Sequence, residues 1–169
     1  MKTSTAIALV FLALVIASVF LAKYKNRNRF QTASEFTQWL AMEAEKDAKE
    51  NNQITLDFSP ESIQSVEKIL GGLHDQYVKN PSSVSATGLG SAYGAYIGEV
   101  IRKTESGAHW ERDDPVAGEK SYPIFWGDGR SYPMAWCYKR IVKGDEDNVW
   151  IKYRVLKAER EKHKATQEK

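Results

Sequence analysis

The sequence has a single cysteine, Cys137, in 169 residues. That excludes a framework of internal disulfides and any site needing two thiolates from one chain. Histidine is nearly as scarce. His74, His109 and His163 stand singly, far from one another and from Cys137, whereas a zinc centre draws three or four ligands from short, convergent spacings. No metal centre and no cofactor is expected. An excess of charge is missing too: 24 basic residues against 22 acidic leave a formal charge of +2, which gives no electrostatic footprint for nucleic acid. Catalytic loops are also lacking. Gly88-Leu89-Gly90-Ser91-Ala92-Tyr93-Gly94 departs from the Gly-x-Ser-x-Gly elbow, and Tyr93 stands where a dinucleotide loop requires its third glycine. No catalytic constellation is recognisable.

What is present begins with a long apolar run. Ala6 to Ala22 carries no charge and lies at the short end of the roughly 17–25 residues that cross a bilayer as a helix. Thr3 to Thr5 and Tyr24 extend it comfortably. A run without a polar face is a poor core helix for so small a protein. Residues 4–24 are therefore expected to contact the lipid bilayer as an uncleaved, single-pass signal-anchor in a cell inner membrane. A cleaved signal peptide is the competing reading, although Val15-Ile16-Ala17 supplies an indifferent cleavage site. Lys23, Lys25, Arg27 and Arg29 after the run outweigh Lys2 before it, which places the following domain in the cytoplasm by the positive-inside rule. Export of that domain is the alternative, since one Lys and the α-amine suffice for many N-terminal anchors.

The remainder reads as a small single α+β domain of about four to five helices with a short antiparallel hairpin or sheet. Thr32-Ala33-Ser34-Glu35 fits a capping box for a helix from Ala33 to about Glu50, with Phe36, Trp39 and Leu40 on its apolar face. The second half of that helix is charged and reads as a solvated stalk. Gln53 to Phe58 alternates as a short strand. Ser59-Pro60-Glu61 starts a helix whose stripe is Ile63, Val66, Leu70, Leu73 and Tyr77, ended by Asn80-Pro81. Gly127-Asp128-Gly129 is a tight turn, Pro133 opens another helix, and a last one runs from Val149 to about Lys162 before a fraying charged tail. The expected division is 1–29 for the anchor and basic flank, 30–52 for the stalk, 53–157 for the globular domain and 158–169 for the tail.

Leu89 to Trp110 is the segment around which this domain is organised. Leu89, Tyr93, Tyr96, Ile97 and Val100 share one helical face, and Gly90, Gly94 and Gly98 recur every fourth residue beside it. Each glycine disfavours a helix by roughly 1 kcal/mol relative to Ala. A second backbone pressed into the glycine groove would offset that penalty.

From Gly94 to Trp110, and again from Tyr132 to Gly144, the sequence resembles an uncharacterised bacterial family of domains of unknown function. The shared pattern is Gly98-Glu99-Val100-Ile101, then Gly107-Ala108-His109-Trp110, then Pro133, Lys139-Arg140 and Gly144. The resemblance spans about 56–156 and departs in the aromatic-rich hairpin from Ser121 to Trp136. It implies an α+β fold and no established activity.

Glu99 is the most conspicuous ionisable residue. As a general acid or base it would need a partner such as Glu111 or Asp128; as a structural group it would form an ion pair with Arg102, Lys103 or the Lys139-Arg140 pair. The structural reading is preferred, with Gly90, Gly94, Gly98, Glu99, Trp110 and Arg140 as framework residues. Tyr122, Trp126, Tyr132 and Trp136 are the candidate binding residues, because aromatic rings at a tight turn suit a protein partner or a saccharide. The expected function is a membrane-tethered, non-enzymatic protein-binding module with an immunity or envelope-associated role. The alternative is a cell-wall glycan hydrolase or glycan-binding domain using Glu99, Glu111 and the aromatic hairpin.

Overall fold

The computed structural model describes residues 30–167. Five helices, α1 (Ala33–Asn52), α2 (Ser62–Lys79), α3 (Ala86–Thr104), α4 (Pro133–Lys143) and α5 (Val149–Gln167), combine with strands β1 (His109–Trp110), β2 (Ile124–Trp126) and β3 (Gly129–Ser131). The strands form one antiparallel sheet in the order β1-β2-β3. The described part is a small α+β domain. The expected anchor at residues 4–24 lies outside the described residues, among which no helix is long and apolar enough to cross a membrane.

The core is built around α3. Every residue from Ala92 to Ile101 is buried, so the helix is enclosed rather than packed by one stripe. Small residues make this possible: between the large side chains of Tyr93, Tyr96, Ile97, Val100 and Ile101, the alanines and glycines let neighbouring helices approach on the remaining sides. Tyr96, fully buried, keeps its hydroxyl satisfied by accepting from the Phe58 N–H at 2.7 Å and pairing with Ser62 Oγ at 2.7 Å.

The stalk reading is corrected. α1 packs along α3 with Leu40, Ala41, Ala44 and Ala48 buried, and the Tyr93 hydroxyl donates to Asp47 Oδ2 at 2.5 Å. Glu43, Lys46, Lys49 and Glu50 line only its outer side. Alanines three and four apart contribute little to a hydropathy pattern, yet they allow the close approach that makes this helix part of the core.

The strand expected at Gln53 to Phe58 is also corrected. Gln53 and Phe58 take φ of 57° and 59°, and no ladder forms between them. The alternation instead reports burial: Leu56 is buried, Ile54 and Phe58 are partly so, and Thr55 and Asp57 are exposed. Phe58 stacks on Tyr96 at 4.7 Å between ring centroids.

At the hairpin, Gly127 has φ 55°, as a type II′ turn requires at its first central position. Trp126 is 2% exposed, which overturns its expected role at the surface. Its Nε1 donates to Ser131 Oγ at 2.9 Å, and its ring lies parallel to that of Tyr153. Arg160 closes the other side, with its guanidinium 3.7 Å from the ring centroid and Nε donating to the Trp126 carbonyl at 2.9 Å. The expected charged tail from residue 158 begins inside α5, which continues to Gln167, and Arg160 packs against the hairpin.

Candidate functional site

The glycine groove of α3 is occupied by α4 and Trp110. A Cβ on Gly90 would lie 2.9 Å from Tyr138 Cα, and one on Gly94 would lie 2.2 Å from Met134 Cα. A Cβ on Gly98 would meet the Trp110 indole at 2.0 Å. The backbone of α4, at two points, and one ring thus sit where side chains would otherwise be.

This close seam shapes a cleft beside it. With α4 drawn against α3, Met134, Ala135 and Tyr138 face Thr87 and Ser91, while Tyr132, Ser121, Tyr122, Lys120 and Ala117 complete a hollow of about 320 Å³. Tyr122 leans on Phe36 of α1, their ring centroids 4.8 Å apart, and Tyr138 is 43% exposed. The cleft therefore offers three phenol rings, a thioether and a rim of hydroxyl groups.

Asp114 holds the wall formed by residues 114–121. Its Oδ1 accepts from the Val116 and Ala117 N–H groups at 2.7 and 2.8 Å, while Oδ2 pairs with Arg130. Burial alone would raise its carboxyl. The Ala117 and Val116 N–H groups, the Tyr132 hydroxyl and the Arg130 guanidinium outweigh burial and hold it below the usual carboxylate range. Burial, and then the bond to Asp114, push the Tyr132 phenol upward. Tyr132 is thus tied to the wall as well as lining the cleft.

Of the four aromatic residues expected to bind a partner, Tyr122 and Tyr132 enter this cleft. Trp126 belongs to the core, and Trp136 is half-buried on another face of α4, with Lys152 Nζ 6.0 Å from its ring. Met134 and Tyr138, which also line the cleft, were not among the expected binding residues. Their spacing of four residues on a helix whose core positions are Cys137 and Ile141 would have placed both on one lateral face.

Glu99 is 2% exposed and fully engaged. Oε1 accepts from Trp110 Nε1 at 2.8 Å, and Arg102 reaches Oε2 through Nε at 2.9 Å and Nη2 at 2.8 Å. The Gly98-Glu99 pair therefore works as a receptor for Trp110: the glycine makes room for the indole and the carboxylate takes its N–H. Of the ion-pair partners expected for Glu99, Arg102 is the one engaged, and Arg140 is not. Arg140 bonds instead to Glu67 at 2.5 Å and Asp145 at 2.7 Å, because its position on α4 faces α2. Glu111 pairs with His109 at 3.4 Å and is absent from the hollow that Glu99 lines with Gln38, Glu45, Phe58 and Lys103. Asp128 lines a different hollow, beside Arg160 and His163. Among the described residues no group of three metal-ligating side chains converges.

Glu99→Gln retains an acceptor for Trp110 but removes the charge facing Arg102, and should lower stability by about 1–2 kcal/mol. Glu99→Leu strands the indole N–H as well and should lower it by about 3 kcal/mol, since the partly exposed Arg102 recovers water. Thermal denaturation of the two variants orders them; equal stability for native protein and Glu99→Leu would remove this group from the framework.

No family of known proteins, no curated protein and no solved structure matches the chain.

Proposed function

We propose that this chain is a membrane-tethered, non-enzymatic module that binds another protein, with an immunity or envelope-associated role. The observation that carries the reading is the tyrosine cleft. Tyr122, Tyr132 and Tyr138 bring large apolar faces and polar tips to one hollow. Such rings are enriched among the residues that dominate binding energy in protein interfaces, and they lose little conformational freedom on binding. The hydroxyl groups of Thr87, Ser91 and Ser121 provide the polar rim that interfaces use for orientation. Tethering rests on the apolar run at residues 4–24, and the bacterial setting on the resemblance described above.

Against the glycan-hydrolase alternative, both oxygens of Glu99 are already bonded within the protein, and Glu111 and Asp128 stand apart from it. A binding role for saccharide would use the same tyrosines, so the test must separate the two. A photo-crosslinking residue placed at Ala135, at the cleft, should capture one protein in stoichiometric yield from intact cells, and the same residue placed at Lys79 should not. Tyr138→Ala should abolish capture without changing the melting temperature. Equal capture from both positions, or none from Ala135 together with retention of cell-wall fragments on the immobilised protein, would overturn the proposal.

A further inference from the structure

α5 carries a second surface, remote from the tyrosine cleft in sequence and sharing none of its residues. Ile151 and Val155 are 59% and 50% exposed, one helical turn apart on a helix whose opposite side buries Val149 and Tyr153. They face a hollow of about 500 Å³ lined by Asp145, Glu146, Asn148, Lys152, Leu156 and Glu159 in addition to themselves. The lining runs from Asn148, just before α5, through Ile151 and Val155 to Glu159 in steps of three and four residues, so the hollow follows the helix axis for about 16 Å at 1.5 Å per residue.

Charge decides what this groove accepts. Three of its lining residues are acidic, and the one cation, Lys152, is already bonded to Asp147 at 2.9 Å. Asp145 meets Arg140 through Oδ1 but remains 93% exposed, and neither Glu146 nor Glu159 has a cation among the ion pairs of the described residues. Acidic side chains thus border the apolar pair at the 145–147 turn and at Glu159. Those carboxylates disfavour an anionic lipid surface or nucleic acid in the groove itself. Geometry narrows the choice further. A helix presents no free strand edge, so an extended segment could not gain main-chain hydrogen bonds here, whereas a second helix can lay its ridge between α5 and the 145–147 turn.

We infer that the Ile151–Val155 groove binds a basic amphipathic helix of a partner protein, with two apolar side chains four residues apart set against Ile151 and Val155 and Lys or Arg facing Glu146 and Glu159.

The full chain in detergent micelles can be tested against a displayed library of helical peptides with randomised outer positions. The expected result is enrichment of peptides carrying apolar residues at i and i+4 with flanking Lys or Arg. Their binding should weaken with added salt, and by about tenfold or more on Ile151→Asp or Val155→Asp, as for central anchors of an interface. Glu159→Lys, which leaves the apolar pair and the fold intact, should weaken it as well. Tyr138→Ala should leave it unchanged, so failure here is distinct from failure of the cleft as a binding site. No enrichment, enrichment of acidic or uncharged peptides, or binding indifferent to both Ile151→Asp and Glu159→Lys would overturn the inference. So would a dimer in sedimentation that Ile151→Asp dissociates, because the occupant would then be a second copy of the chain.

Discussion

Gly94→Ala should destabilise the domain by about 3 kcal/mol, although alanine is the better helix former, because overpacking a filled seam outweighs propensity. The added Cβ would stand 2.2 Å from Met134 Cα, 2.4 Å from its N and 2.6 Å from the Pro133 carbonyl carbon. All three are backbone atoms. No change of rotamer relieves the clash, so α4 must shift as a body and open its contacts with α3. Gly72→Ala is the matched control: it is also helical, and nothing lies within 4 Å of the Cβ it would gain. That substitution should stabilise by about 0.5–1 kcal/mol through helix propensity and a less flexible unfolded chain. At roughly 2–4 °C per kcal/mol for a chain of this size, the first variant should melt on the order of 10 °C lower and the second a few degrees higher. A rise in melting temperature for both would mean that the seam is not closed.

Glu67→Ala should be the most damaging single change among the ionisable residues, at about 3–5 kcal/mol, the range for removing one member of a buried pair. Glu67 and Arg140 are 13% and 6% exposed. One oxygen of Glu67 takes the Arg140 Nε at 2.5 Å and the other takes the Val149 N–H at 2.8 Å. A single carboxylate therefore joins α2 to α4 and also caps the first turn of α5. Without it, Arg140 keeps only Asp145, whose exposed carboxylate gives weak compensation. Its Nη1 is already without a hydrogen-bond partner. Glu67→Leu combined with Arg140→Met removes the buried charges together and should recover most of the lost stability. Urea unfolding of Glu67→Leu, Arg140→Met and the double variant gives the coupling energy directly. Additive losses would show that the two groups do not act as a pair.

Both predictions begin from features that differ in how plainly the sequence displays them. The glycine spacing of α3 was legible because a penalty repeated every fourth residue calls for a compensating contact. The identity of that contact was only half legible: a backbone was expected, but the indole over Gly98 requires knowing that β1 returns across the helix. Pro133 and the Gly127 turn could be placed because both residues act through their own dihedral angles. α1 was misread because alanine burial is invisible to hydropathy, and Gln53 to Phe58 because alternation records which side faces the core and not whether a neighbour is hydrogen-bonded. Within the cleft, Tyr122 and Tyr132 were found through their position beside the turn. Trp126 was not separable from them until Arg160, far along the chain, was seen to cover it. Glu99 met Arg102, a partner that spacing on one helix supplies, whereas the pairing of Arg140 with Glu67 was not legible, because local spacing cannot rank partners on different helices.

The fourfold glycine spacing also constrains chain length. One residue inserted between Gly94 and Gly98 would rotate the far half of α3 by about 100° relative to the near half. Gly90 and Gly94 would still meet α4, but Gly98 would turn away from Trp110 and Glu99 would carry its acceptors off the indole N–H. A deletion has the same effect in the opposite sense. Length variants that stay folded should therefore fall outside Gly90 to Glu99, and the exposed 115–120 stretch of the cleft wall is the segment best able to absorb them. Changes in the number of residues would then alter the mouth of the cleft while the seam beneath it stays in register.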